Sequence, residues 1–365
     1  MPKPFTLEPL LRPAVWGGDV LPRRFGQPTT SPIGEAWLIH ESLIVRDGTW
    51  AGQTLAEVTR AAPEALLGES LRTALVNGEP RFPLSAKLLA PRDWLSVQVH
   101  PDNAYARARE GVPYGKCEAW LTLEAEPQAQ VAHGLAHPLT PGALIAAAQD
   151  GTLQRMLSYV SLRAGDALIN MPGVVHALGP GVLLYEIQQS CDITYRLYDW
   201  GRPATAGRAL HLEQGAAVTD YAPLDQHLIA PLSLSQWSGV QHHLWAACEH
   251  FAAERLRTPV PYPKHTAGRS AHLITVVAGH GELRCNGTAL ALTPRASVVV
   301  PAVCAAYQIV PTQAMDVLIS YVPDLWRDVI EPLRALGYED ARIGQLGGDL
   351  RRSDVWRAIH SAQHG

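Results

Sequence analysis

A mainly β chain is predicted, with two related jelly-roll barrels in tandem and a small helical insertion in the first half. Three observations carry this expectation. Short apolar runs recur at residues 167–170, 182–187, 272–277 and 296–300, separated by turn residues drawn from 30 glycines and 29 prolines. Such runs between frequent turn signals are the pattern of sandwiches and jelly rolls. Next, the stretch from Gly165 to Pro172 echoes the stretch from Thr293 to Pro301, each an apolar strand ending at a proline, which points to two related halves. Helical periodicity, finally, is confined to a few segments.

In chain order, residues 55–67 and 71–75 read as one or two helices. Residues 94–100 form a short strand that places Ser96, Gln98 and His100 on one face and Val97 and Val99 on the other. Pro101-Asp102-Asn103 ends it in a turn. Residues 115–120 read as a second strand entry, with Lys116, Glu118 and Trp120 sharing a face and Cys117 turned away as a small core residue. A helix is expected over 140–159, started by Thr140-Pro141. Pro172-Gly173 and Pro180-Gly181 frame a hairpin with His176 at its turn-to-strand junction. The domain boundary is expected near residues 228–236, giving domains 1–232 and 233–365. Leu325, Val329, Leu333 and Leu336 trace a packing helix over 324–335.

Composition excludes several classes. A formal net charge of −4 gives no electrostatic footprint for nucleic acid or an anionic membrane. Five cysteines without CxxC spacing argue for reduced thiols rather than a disulfide framework. With no signal peptide and no apolar run of membrane-spanning length, the expectation is a soluble, cytoplasmic protein. Its partner is then a small molecule; the sequence leaves the oligomeric state open.

The chemistry concentrates in residues 95–120 and 172–202. Polar side chains on a buried strand need partners, and hairpin-related strands would bring Gln98, His100 and Glu118 together. Amide oxygen, imidazole and carboxylate form a plausible metal set, with His176 the natural fourth ligand. Glu186 and Gln188 share a face of the next strand. Arg196, on an inward-facing position, is suited to an anion, although pairing with Asp199 or Asp192 is the structural alternative. The remaining histidines, among them His133, His242 and His272, read as satisfied polar residues.

These residues also carry a family resemblance. The runs QVHPD at 98–102, GKCEAW at 115–120, HALG at 176–179 and EIQQSCDITYR at 186–196 resemble the signatures of type I phosphomannose isomerase. Trp16-Gly17-Gly18 and residues 83–89 resemble it too, so that the matches span roughly the first 210 residues in family order. The resemblance implies a cupin-type jelly roll of the compact bacterial class. It implies one zinc ion (Zn2+) per chain, held by Gln98, His100, Glu118 and His176, and interconversion of mannose 6-phosphate and fructose 6-phosphate. Arg196 matches the active-site arginine, and Lys116, Lys87 and Glu186 match residues lining the pocket.

On this reading Arg196, Glu186 and Lys116 are the catalytic residues, and Lys87, Ser96 and Trp16 bind substrate. Cys117, Cys191 and Ile193 depart from the usual family run. The second half has a cupin-like turn at residues 279–283 but no QxH or HxH ligand pair, and is expected to be a metal-free structural barrel. A non-catalytic sugar- or sugar-phosphate-binding cupin, or an isomerase of another sugar, is the alternative.

Overall fold

The computed structural model describes residues 3–203 and 208–361. The chain divides into two compact units, one of residues 11–36 and 87–228, the other of residues 1–10, 37–86 and 229–365. The change at 228/229 falls in the expected boundary stretch. The early helices Leu55–Ala61, Pro63–Leu67 and Leu71–Ala74, however, belong to the same unit as residues 229–365. Periodicity locates a helix in sequence but says nothing about which distant segment covers its apolar face.

The unit of 11–36 and 87–228 is built on two sheets. One has five strands in the order Leu157–Ser161, Gln130–Leu135, His176–Leu178, Val97–Val99 and Tyr195–Tyr198. The other runs Ala167–Asn170, Glu118–Ala125, Val182–Gln189, Leu84–Leu89, Ile33–Ile39 and Leu10–Gly18. Register is antiparallel throughout the five-stranded sheet and across the three leading strands of the other. Alternation is legible in Val97–Val99: both valines enter an apolar cluster with Ala132, Leu144, Leu153 and Leu197, leaving Gln98 on the opposite face. It vanishes in Leu84–Leu89 and Val182–Gln189, every residue of which is buried, as expected for strands with neighbours on both edges and cover on both faces.

The other unit contains sheets of seven and four strands and the two-stranded ribbon Leu75–Val76 and Glu79–Pro80. Ser297–Val300, His272–Ala278, Met315–Tyr321, Ala252–Thr258 and Gln241–Ala247 are consecutive neighbours in the largest.

Helix starts follow local chemistry. Thr54 and Glu57 form a reciprocal capping box, and Thr140 caps a helix that opens on Pro141. That helix stops at Gln149, short of the expected 159, and Leu157–Ser161 is a strand. Asp150-Gly151, with Gly151 at φ +77°, breaks the pattern. The 324–335 stretch starts as a π-helical turn, Leu325–Ile330, and continues as Glu331–Ala335. No disulfide joins the five cysteines, all of which are buried. No helix among the described residues is long and apolar enough to cross a membrane.

Candidate metal centre

The metal set forms, but not through a hairpin. Val97–Val99 and His176–Leu178 lie in the five-stranded sheet, Glu118–Ala125 in the six-stranded one. His176 stands directly opposite Gln98, and Arg196 is Gln98's partner on its other side. Directly opposed residues share a sheet face, so these three side chains point the same way. Nor is 172–189 one hairpin: His176–Leu178 and Val182–Gln189 enter different sheets, separated by Gly181 at φ +82°.

Glu118 reaches the histidines because the loops close tightly. A Cβ at Gly115 would lie 2.3 Å from the Pro101 carbonyl oxygen, so only glycine lets this segment rest on the backbone after His100. Lys116 N–H then donates to the Pro101 carbonyl at 3.0 Å. Asn103 Oδ1 accepts from Gly115 N–H (2.8 Å) and from Gln189 Nε2 (3.0 Å), while Gln189 Oε1 accepts from Cys117 N–H (3.0 Å).

One ligand atom each from His100, Glu118 and His176 lies within 4.8 Å of the others. Glu118 Oε1 is 3.2 Å from His176 Nε2, and Oε2 is 3.7 Å from His100 Nε2. Gln98 Nε2 lies 3.3 Å from His176 Nε2, and turning the amide about its last bond brings its oxygen to that place. All three of these residues, His100, Glu118 and His176, are at most 1% exposed. Nδ1 of His100 donates to the Ile193 carbonyl and Nδ1 of His176 to the Val174 carbonyl, both at 2.9 Å. That fixes the tautomer with Nε2 lone pairs turned toward Glu118.

Among the described residues His100 Nε2 is buried with no hydrogen-bond partner. Burial and then the Lys116 ammonium hold His100 well below its usual range, hence neutral. Burial works against ionising Glu118, but the Lys116 ammonium, its Nζ 2.7 Å from Oε2, outweighs it and keeps it a carboxylate. Two imidazoles, a carboxylate and an amide oxygen, with an orphaned buried nitrogen aimed inward, fit a zinc-type cation.

A second charged layer lies alongside. Trp120 Nε1 donates to Glu186 Oε2 at 2.9 Å, and Lys87 Nζ lies 3.8 Å from Glu186, 3.8 Å from Glu35 and 4.0 Å from Asp192. Burial foremost, then Glu118, pushes the Glu186 carboxyl above its ordinary value. Lys116 is held charged despite its burial by Glu118 and Glu186. Arg196 makes no ion pair with Asp199 or Asp192 among the described residues. Its Nη1 donates to the Ala209 carbonyl (3.0 Å), and Asp199 is taken by Arg202 and Arg208.

Ser96 is buried at the start of the metal-ligand strand. Trp16, 5% exposed, packs in an apolar cluster with Leu89, Leu95, Trp120 and Leu168. Cys117, turned away from Glu118, lies 3.6 Å from the Met171 sulfur. Sequence reasoning missed Asn170, whose Nδ2 donates to Glu118 Oε1 at 3.1 Å, and the Asn103–Gln189 brace. The one signal for Asn170 was an amide closing an otherwise apolar strand, ALIN.

Fold and site together define a metal-binding, cupin-like β protein whose centre sits between two sheets. Comparisons narrow this. Residues 5–139 match the model of the phosphomannose isomerase type I catalytic domain. Over 229 residues the chain is 37% identical to mannose-6-phosphate isomerase of Streptococcus mutans, covering 60% of this chain and 68% of that one. It is 33% identical over 225 residues to mannose-6-phosphate isomerase ManA of Bacillus subtilis, covering 60% and 68%. The crystal structure of the mannose 6-phosphate isomerase from Bacillus subtilis superposes with a TM-score of 0.77 at 25% identity, over 88% of this chain and 99% of that one. A zinc-bound mannose 6-phosphate isomerase shares the fold, with a TM-score of 0.66 at 16% identity over 87% and 99%. The chain belongs to the type I phosphomannose isomerase family.

Proposed function

We propose that this protein is a zinc-dependent isomerase that interconverts mannose 6-phosphate and fructose 6-phosphate, with one zinc per chain. The observation that carries the reading is the buried His100–Glu118–His176 cluster with Lys116, Glu186 and Lys87 beside it. Gln98, His100, Glu118 and His176 would hold the ion, which when bound supplies Lewis-acid polarisation of the sugar oxygens at C1 and C2.

The isomerisation moves a proton between C2 and C1 through an enediol or enediolate. Glu186 is the residue to carry it: a carboxyl raised by burial sits nearer neutrality than an ordinary one and can both accept and return a proton. Trp120 fixes its orientation by donating to one oxygen. Lys116, cationic and 2.7 Å from Glu118, places positive charge where the sugar oxygen becomes anionic. Arg196, without an acidic partner among the described residues, is available to the same charge or to the phosphate. Lys87, 3.8 Å from Glu35 and from Glu186, would anchor the phosphate together with Ser96, and Trp16 would form an apolar wall. Water exclusion follows from the burial of His100, Glu118, His176, Lys116, Glu186 and Lys87.

Catalysis is thereby assigned to the first half, 1–232, and 233–365 to a metal-free cupin-like barrel. Five buried cysteines without a disulfide support a cytoplasmic setting.

The test is a coupled assay on metal-analysed protein, following fructose 6-phosphate formed from mannose 6-phosphate before and after chelation. Turnover lost with the metal and restored by zinc is expected. Bound zinc without turnover on this sugar would refute the substrate assignment and favour a binding protein or another sugar.

A further inference from the structure

The unit containing residues 229–365 has an open pocket of about 280 Å³ lined largely by charged and polar side chains. At its floor Glu254, 2% exposed, is saturated: Oε2 accepts from Lys264 Nζ (2.5 Å) and His242 Nε2 (2.8 Å), Oε1 from the Tyr321 hydroxyl (2.9 Å). His272, 4% exposed, lies flat on Tyr321 with ring centroids 4.7 Å apart. Its Nδ1 contacts the Tyr307 hydroxyl at 2.9 Å, and among the described residues Nε2 has no hydrogen-bond partner. At the mouth Arg269 pairs with Asp328 at 2.5 Å, whereas Arg327 is 60% exposed and no nearer than 3.6 Å to a carboxylate.

A barrel that served only for packing would not need this. Buried ion pairs are at best neutral compared with apolar residues of equal volume, and the seven-stranded sheet has ample apolar core. The arrangement also excludes a cation, because the Lys264 ammonium already occupies the face of Glu254 that a metal would use. What remains is a surplus of donors. Lys264, Arg269 and Arg327 carry three positive charges against the lining carboxylates Glu254 and Asp328, while the carboxylates nearest Arg327, Glu69 at 3.6 Å and Asp324 at 3.7 Å, stand outside the lining. Phenols and an unengaged imidazole nitrogen, which bind hydroxyls, complete the wall.

We propose that this half carries a second, non-catalytic binding site for a small polyhydroxylated anion, the chemistry shared by sugar monophosphates and sugar acids. The site shares no residue with the metal centre and does not rest on the isomerase reading.

Hydrogen exchange on the full, metal-loaded chain tests it, with fructose 6-phosphate, gluconate and neutral mannose as separate probes. At a concentration tenfold above the dissociation constant, a bound probe should slow exchange in Tyr262–His265 and His272–Ala278 about tenfold. Slowing by fructose 6-phosphate alone identifies a sugar phosphate, and by gluconate alone a sugar acid. His272→Gln should abolish the slowing while leaving turnover unchanged. Arg327→Gln, at a position 60% exposed, should weaken it several-fold. No slowing by either anion, equal slowing by mannose, or slowing undiminished in both variants overturns the proposal. Exchange in Val97–Val99 and Glu118–Ala125 reports the metal centre separately, so failure of the isomerase reading is seen independently.

Discussion

Glu118→Gln is the most informative single change because it preserves shape while removing one charge. In the native site the carboxylate faces Lys116 at 2.7 Å, and both residues are almost fully buried. Breaking a buried pair by neutralising one member costs about 3–5 kcal/mol, because the other charge is stranded. Here the lower end applies. Glu186 also faces Lys116, and its ionisation becomes easier once the repulsion from Glu118 is gone. The hydrogen bond from Asn170 survives, since a glutamine oxygen still accepts it.

A loss of about 3 kcal/mol, at roughly 2–4 °C per kcal/mol for a body of 150–250 residues, lowers the metal-free melting temperature by about 6–12 °C. Zinc affinity should fall more than about 100-fold, since even outer-shell partners of a metal are worth 10–100-fold. The assay is differential scanning calorimetry of chelated protein, together with metal analysis and turnover of the loaded protein. Lys116→Met in the Glu118→Gln background should recover most of the lost stability, because the ammonium is no longer stranded and Glu186 keeps Lys87 at 3.8 Å. A metal-free melting temperature within about 1 °C of the parent, with zinc retained, would refute both the ion-pair arithmetic and the ligand assignment.

Two further outcomes are expected. Trp120→Phe keeps the apolar ring but removes the 2.9 Å donor to Glu186; a hydrogen bond to a charged group contributes about 1.5–3 kcal/mol, so kcat should fall roughly 10- to 100-fold with zinc content unchanged, and equal loss of both would make the contact structural. In the other unit, burial and then Lys264 lower the His272 pKa from 6.5 to about 3. The unfolded chain therefore binds the extra proton between those values, so the stability this neutral histidine contributes is complete above about pH 6.5 and is lost as pH falls toward 3. The native protein should lose about 1.4 kcal/mol per pH unit more than His272→Gln across that window, and parallel pH curves in urea denaturation would refute it.

The sequence by itself determined the local objects: the strand ending at His100, the cap at Thr140, the face shared by Lys116, Glu118 and Trp120, and the family order of the metal ligands. These depend on alternation, capping and turn chemistry, which act between residues near in sequence. Only the tertiary structure decided that Gln98, His100 and His176 meet Glu118 from a different sheet, and that helices 55–74 belong with residues 229–365. Strands buried on both faces, such as Val182–Gln189, carry no alternation from which a face could be read. The Asn170 and Trp120 contacts, and the Glu254–Lys264–His242 network, join residues from separate strands. Each of those residues alone reads as an ordinary polar or core side chain, and a partner's identity becomes visible only once strand order and register place the two side by side.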